Sequence, residues 1–319
     1  MIFLNDLIGN TPIVKINYKY LGEVKYIYAK LEWYNFTGSI KDIVVSFIID
    51  KNIKSGNIKD DTVLVEATSG NTGISLSAIG ARYKHKVVIF IPSFVSQERI
   101  DLMKSFGAEV HLISKEEGGF KRCLLESQKY AALNKAFLLN QFYNEDNVMA
   151  HFLGTGSEII SAIPLVDGFV CGVGSGGTLM GVSSKIKDKN RNAYICAVEP
   201  KNSPLLSTGF SSQHKIEGIS DDFVPGVFDK DLVDEYLLVD EVDAINMASI
   251  LAKKLGLGVG ISSGANFLGA VYLNRRCKNV VTIFADDNKK YLSTDLVNKD
   301  YSGQKLISND IELISFEVM

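Results

Sequence analysis

Apolar positions along this chain alternate between two patterns. Short apolar runs bounded by turn-forming residues, at 63–65, 87–91, 109–113, 137–140, 168–172, 193–198 and 280–285, predict strands. Between them, apolar residues recur at helical spacing, at 97–106, 120–133, 147–163 and 244–255. Repeated βα units predict an α/β protein with parallel sheets and helices on both faces. In such folds ligands collect where loops leave the carboxyl ends of strands and enter helices. No internal repeat or low-complexity tract interrupts the pattern, and residues 308–319 carry no clear periodicity.

Three stretches stand out from this background. In Asn35-Phe36-Thr37-Gly38-Ser39-Ile40-Lys41-Asp42, a sharp turn leads into a helix whose apolar stripe is Ile40, Val44, Phe47 and Ile48. Ser39 with Asp42 three residues on reads as a capping box. Lys41 then sits in the first helical turn, against the positive end of the helix dipole. Its charged form is disfavoured there, and a neutral amine is a nucleophile. A surface lysine that merely follows a cap is the plainer alternative. Thr68-Ser69-Gly70-Asn71-Thr72-Gly73 follows a predicted strand and opens a helix; four hydroxyl or amide side chains and two glycines there suit a carboxylate, beyond what a capped turn requires. Gly172-Val173-Gly174-Ser175-Gly176-Gly177-Thr178 again joins a strand to a helix. Its glycines let the backbone approach a phosphate, although no lysine follows as in a P-loop, so a compact monophosphate fits better than a nucleotide.

The 319 residues, 46% hydrophobic, exceed what one core usually holds, so two lobes are expected. A net charge of -3 and a pI near 5.9 give no footprint for nucleic acid or an anionic membrane. The longest apolar runs are too short to span a bilayer, and the first residues lack the basic region of a signal peptide. A soluble, cytoplasmic protein is therefore expected. Cys123, Cys171, Cys196 and Cys277 are widely spaced and read as reduced and structural, and no His or Cys cluster has metal-site spacing.

Taken together, the three stretches resemble the fold-type II pyridoxal-phosphate enzymes, and more closely their cysteine synthase and cystathionine β-synthase branch. The likeness runs nearly end to end, through Ile8-Gly9-Asn10-Thr11-Pro12, Asn140-Gln141-Phe142, Glu199-Pro200, His214-Lys215-Ile216-Glu217-Gly218-Ile219, Gly260-Ile261-Ser262-Ser263-Gly264-Ala265 and Tyr291-Leu292-Ser293-Thr294. It implies two αβα domains with mostly parallel sheets, the tryptophan synthase β-like fold. A smaller mobile domain would span 36–143, and a larger one, 1–35 plus 144–319, would carry the phosphate cup. The resemblance also implies a homodimer, a small amino-acid substrate, and pyridoxal 5'-phosphate as cofactor.

By the same resemblance, Lys41 holds the cofactor as a Schiff base and, once displaced, acts as general base at Cα. Asn71 would meet the ring hydroxyl, and Gly174, Ser175, Gly176, Gly177 and Thr178 would cradle the phosphate. Thr68, Ser69, Asn71, Thr72 and Gln141 would hold the substrate carboxylate. Ser262 would face the pyridine nitrogen; a neutral hydroxyl does not keep that nitrogen protonated, which favours loss of a β-substituent over transamination. The expected course is elimination from Cβ to a bound aminoacrylate, followed by addition of a nucleophile.

Which nucleophile is added turns on one loop. Typical cysteine synthases continue Gly-Ala-Gly-Phe-Ile-Pro where this chain has Ser220-Asp221-Asp222-Phe223-Val224-Pro225. An aspartate just before Phe223 is similar to the Tyr-Asp-Phe triplet of cystathionine β-synthases. Carboxylates here would repel hydrosulfide and accept a proton from water. Asp222 is the expected catalytic residue, in a reaction of L-cysteine with water giving L-serine and hydrogen sulfide. A solvated carboxylate pair is the plainer alternative. Cysteine synthase activity, or condensation of serine or cysteine with a thiol, is the second functional reading. The chain also departs from the family at Phe36, where proline is usual, at Ile43, where arginine is usual, and at Asn288-Lys289-Lys290, where Gly-x-Arg is common.

Overall fold

The computed structural model describes residues 6–301 and 303–319. It opens with an antiparallel hairpin, β1 (Ile13–Tyr20) and β2 (Glu23–Leu31), closed by Leu21 and Gly22, both at positive φ as a two-residue turn requires. The Lys41 turn leads into α1 (Lys41–Lys54). Next come β3 (Leu64–Ala67), α2 (Asn71–Tyr83), β4 (Val87–Pro92), α3 (Gln97–Ser105), β5 (Glu109–Ile113), α4 (Gly119–Asn134) and β6 (Phe137–Leu138). These four strands form a parallel sheet in the order β5-β4-β3-β6. Every residue of β3 and β4 is buried, Glu66 of β3 included, which is why β4 reads as an unbroken apolar run.

The chain continues with α5 (Glu145–Leu153), α6 (Thr155–Ala162), β7 (Gly168–Gly172), α7 (Gly177–Lys189), β8 (Tyr194–Pro200), α8 (Leu205–Thr208), β9 (Glu235–Val239), α9 (Glu241–Leu255), α10 (Ile261–Leu273), β10 (Val280–Phe284), α11 (Asp295–Asn298) and β11 (Glu312–Val318). A second sheet runs β11-β1-β2-β10-β7-β8-β9, parallel from β2 through β9 and antiparallel at the hairpin and at β11. The architecture is thus α/β, with two mostly parallel sheets flanked by helices.

Three expectations need correction. The helical pattern at 147–163 is two helices, because Gly154 between them has φ −93 and ψ −96, outside the helical region, and the chain turns there. Residues 312–318, without a clear period, are an edge strand on β1. Ser39 and Asp42 do not form a capping box: Ile40 holds the cap position, and Asp42 accepts instead from the Thr37 amide (2.7 Å) and hydroxyl (2.6 Å) and from the Ser75 hydroxyl (2.6 Å). The carboxylate ties the turn to α2 rather than capping α1. The predicted apolar stripe does form, with Ile40, Val44 and Ile48 all buried. Among the described residues all four cysteines are free, no group of side chains has metal-site geometry, and no helix is long and apolar enough to cross a membrane.

Candidate active site

Lys41 enters α1 from a turn that is fastened on several sides. The Gly38 amide donates to the Asn35 carbonyl (2.9 Å), and Gly38 itself has φ +81. The Asn35 amide group donates to the Glu32 side chain (2.6 Å), while its oxygen accepts from the Gly9 amide (2.8 Å). These bonds hold the turn where the family usually relies on proline and this chain has Phe36. On the far side, the Ile40 amide donates to the Ala285 carbonyl (2.9 Å), just past β10. The Lys290 ammonium donates to the Gly38 carbonyl (2.6 Å), so the departure at 288–290 braces this same turn. Ile43, where arginine is usual, is buried in the apolar cluster with Ile13 and Ile159.

Lys41 therefore projects into a cleft between the carboxyl ends of the two sheets, lined also by Thr68, Ser69, Asn71, Thr72, Gln141, Gly174, Ser175 and Ser262. Burial lowers its pKa, against the opposing pull of Cys171, Asp286 and Asp221. The fall expected from the helix dipole is thus accompanied by a desolvation effect that the octapeptide could not reveal. Cys171, on β7, is buried with its thiol pushed up to about 12, which makes it inert at neutral pH.

The β7–α7 loop forms a cup on one side of Lys41, with Gly174, Ser175, Gly176 and Thr178 at its lining and Gly177 at the first position of α7. The glycines are needed sterically. A side chain at 174 would strike the Gly218 carbonyl, one at 177 would strike Asn147, and Gly176 sits at φ +89. α7 begins at this cup without a side-chain cap, and the N–H groups of a helix's first turn lack intrahelical partners, as an anion site requires. Asn147 donates to Ser175 Oγ (2.9 Å) and to the Gln141 carbonyl (2.8 Å), tying the cup to the segment that follows β6. Thr178 Oγ1 lies 3.1 Å from Nε2 of His151, whose other nitrogen meets Thr155 at 2.9 Å. Burial, and then the Lys41 charge, hold His151 neutral, with its pKa lowered to about 3.

On the other side of the cleft, the loop between β3 and α2 presents Thr68, Ser69, Asn71 and Thr72. Thr72 donates to Gln141 Oε1 (2.7 Å). Asn71 donates to Asp286 (2.7 Å), which also takes the Tyr291 hydroxyl (2.8 Å), and Asn71 Oδ1 is buried without a protein partner. A buried acceptor with nothing to accept from, beside a glycine cup and a lysine whose charge burial disfavours, fits a phosphorylated ring whose hydroxyl meets Asn71. Ser262, at the start of α10, lines both the cleft and the cup.

Four further residues with polar side chains line the cleft: Arg99, Glu217, Asp221 and Tyr291. Each lies in or beside a stretch already singled out, but no local pattern says which way its side chain points. Asp221 faces Lys41. Burial pushes its carboxyl up to about 7, with a further push from Asp222 and a partial offset from Lys41. Asp222 is turned the other way, exposed and 3.3 Å from Lys121, and is not among the cleft-lining residues.

A lysine at a helix start, a glycine-lined cup and the Ser262 hydroxyl in one cleft fit pyridoxal phosphate. Residues 4–286 match the family described as "Pyridoxal-phosphate dependent enzyme". Cysteine synthase B of Campylobacter jejuni is 40% identical over 298 residues, covering 92% of this chain and 97% of that protein. The crystal structure of a hydrogen sulfide-producing enzyme from Fusobacterium nucleatum is 46% identical with a TM-score of 0.95, covering 99% of this chain and 97% of that one. An aspartate-to-asparagine variant of the same enzyme, solved with an α-aminoacrylate intermediate, gives 46% identity and a TM-score of 0.94 over 98% of this chain and 96% of that one. The chain belongs to the pyridoxal-phosphate dependent enzymes, in the branch that contains the cysteine synthases.

Proposed function

We propose that this enzyme converts L-cysteine and water to L-serine and hydrogen sulfide. The observation that carries the reading is Asp221, a carboxylate held in the cleft beside Lys41 where typical cysteine synthases have alanine. Pyridoxal phosphate, bound through Lys41, Asn71, the 174–178 cup and Ser262, supplies the electron sink that labilises the substrate's Cα–H and Cβ–S bonds. Thr68, Ser69, Thr72 and Gln141 fix the substrate carboxylate and so orient its Cα proton toward Lys41. The neutral Lys41 amine takes that proton, and burial, which disfavours its charge, prepares it to do so. Sulfur departs as hydrosulfide. Asp221 then takes a proton from the incoming water, whose oxygen bonds to Cβ, and Lys41 returns its proton to Cα.

Residues 36–143 act in this reading as a mobile unit that closes over the bound substrate and keeps bulk water out until the hydration step. The protein is read as a cytoplasmic homodimer; its four free cysteines suit a reducing compartment, and exposed Tyr34, Phe36, Phe316 and Val318 offer apolar area for a second copy.

A second reading, cysteine synthesis from O-acetylserine and sulfide, is favoured by the 40% identity to a cysteine synthase. Purified protein given L-cysteine alone separates the two. Sulfide and serine in equal amounts with little pyruvate supports the lyase; no turnover until O-acetylserine and sulfide are supplied would make the second reading the function.

A further inference from the structure

Asp221 rides on a segment, 217–223, that belongs to the seven-stranded body but is gripped at both ends by elements of residues 36–143. At one end Glu217 pairs with Arg99 of α3, a buried guanidinium lying 4.8 Å over the Tyr291 ring. At the other end Phe223 stacks on Phe120 of α4 at 6.2 Å and 12°, and meets Phe142 edge-on at 4.9 Å; Phe120 and Phe142 also meet edge-on at 5.7 Å. Phe120 follows two glycines, Gly118 and Gly119, both at positive φ, which aim it across the cleft from the start of α4.

Between the two grips the backbone is bent. Gly218 has φ +91, and Ser220, a non-glycine residue, has φ +55. That conformation is held by hydrogen bonds from the Ser220 amide to the Val173 carbonyl (2.8 Å), from its hydroxyl to the Ser203 carbonyl (3.0 Å), and from His214 to its own carbonyl (2.9 Å). A left-handed residue immediately before Asp221 turns that side chain into the cleft while Asp222 points out to Lys121.

We propose that Phe120 is a positioning residue for the hydration step, its stacking on Phe223 coupling closure of residues 36–143 to placement of Asp221. The proposal rests on the lyase reading above. Closing the unit on the substrate docks α4 on the 217–223 segment, so the base that activates water takes its place only when substrate is enclosed. When Phe120 is truncated, Lys41 and the 68–72 loop keep their own contacts, cysteine still loses sulfide, and the unsaturated three-carbon fragment left behind escapes the cleft and is hydrolysed by solvent water to pyruvate and ammonia instead of taking up water at Cβ to give serine.

The test uses the holoenzyme with Phe120→Ala, Phe120→Tyr as the ring-preserving control, and Phe223→Leu for the other half of the contact in case the first variant does not fold. Two readouts are taken: the serine-to-pyruvate ratio from L-cysteine, and amide hydrogen exchange across 217–223 with and without L-alanine, an amino acid that has no leaving group. In Phe120→Ala the ratio should fall at least about fivefold with total sulfide within about twofold, and the protection that L-alanine confers on 217–223 should disappear; Phe120→Tyr should restore both. An unchanged ratio and unchanged protection in Phe120→Ala, or in Phe223→Leu should that be the variant that folds, overturns the proposal. Wild-type enzyme that makes no serine would sink the lyase reading itself, and the exchange arm would still decide the coupling.

Discussion

Asp221 makes a quantitative prediction about pH. Its carboxyl titrates near 7 instead of the usual 3.8, because burial and the Asp222 charge raise it more than Lys41 lowers it. Only the carboxylate can accept water's proton, so raising the pH supplies the active form. With a midpoint near 7, about a tenth is ionised at pH 6 and about nine-tenths at pH 8, so hydration should speed up about tenfold between them. Sulfide release also needs neutral Lys41 and can rise with pH for that separate reason, so the ratio of serine to pyruvate is the quantity to follow. Asp221→Asn removes the base while keeping the shape. It should lower serine formation by about 10²- to 10⁴-fold, or roughly 3–5 kcal/mol in the barrier, and flatten the pH dependence of the ratio. The assay is quantification of serine, pyruvate and sulfide from L-cysteine at pH 6, 7 and 8. An asparagine variant whose ratio stays at the wild-type value and still climbs with pH would refute the assignment.

Three further outcomes follow. Asp222→Ala should change serine output by less than about twofold, since it removes an exposed ion pair to Lys121, and losing its push on Asp221 can at most about double the ionised fraction of that carboxyl at pH 7; product analysis at that pH checks this. Gly174→Ala should abolish cofactor retention, because the added methyl strikes the Gly218 carbonyl; bound pyridoxal phosphate measured by visible absorbance after gel filtration is the readout. Glu66, buried at the end of β3, has its carboxyl raised to about 8 by burial, so the folded state holds a proton that the unfolded chain releases near 4.5. Stability is therefore greatest at low pH and is lost as pH rises through about 8, so the melting temperature should drop by a few degrees between pH 5.5 and 8.5 and Glu66→Gln should remove that drop.

The parts of this structure that were legible in advance are those where backbone chemistry writes itself into residue type. The cup needs glycine because side chains there would collide with Gly218 and Asn147, and the substrate loop needs short hydroxyl and amide side chains at a helix start. Strands β7 and β5 coincide with their predicted runs, 168–172 and 109–113. The hairpin strands were missed because β1 and β2 interleave tyrosines and lysines, several of them half exposed, and β11 lies at the sheet edge with mostly exposed residues. Asp42 was misread because its partners, Thr37 and Ser75, lie partly outside the local turn. The choice between Asp222 and Asp221 turns on the same kind of contact. In an extended segment neighbours point opposite ways, but which of the two faces inward is set by Ser220 at φ +55, held by three hydrogen bonds to residues distant in the sequence.

The same carboxylate bears on both candidate nucleophiles, with opposite sign. Water is neutral and a weak nucleophile, so a positioned base speeds its addition. Hydrosulfide arrives already deprotonated and gains nothing from a base, and two unit charges about 5 Å apart repel by about 3 kcal/mol at an effective dielectric near 20. Since only molecules with neutral Asp221 escape it, that repulsion should appear as about a twofold bias against hydrosulfide at pH 7 and about a tenfold bias at pH 8. Substituting Asp221→Ala, the residue typical cysteine synthases carry there, should then do two things together: serine formation from cysteine collapses, and cysteine formation from O-acetylserine and sulfide rises about twofold at pH 7 and about tenfold at pH 8, where the wild-type carboxylate is mostly ionised. Both activities are measured on the same holoenzyme preparation across pH 6 to 8. Loss of the first without gain of the second would leave Asp221 as a base but remove its part in excluding sulfide; a gain equal at all three pH values would trace selectivity to the size of the side chain and not its charge.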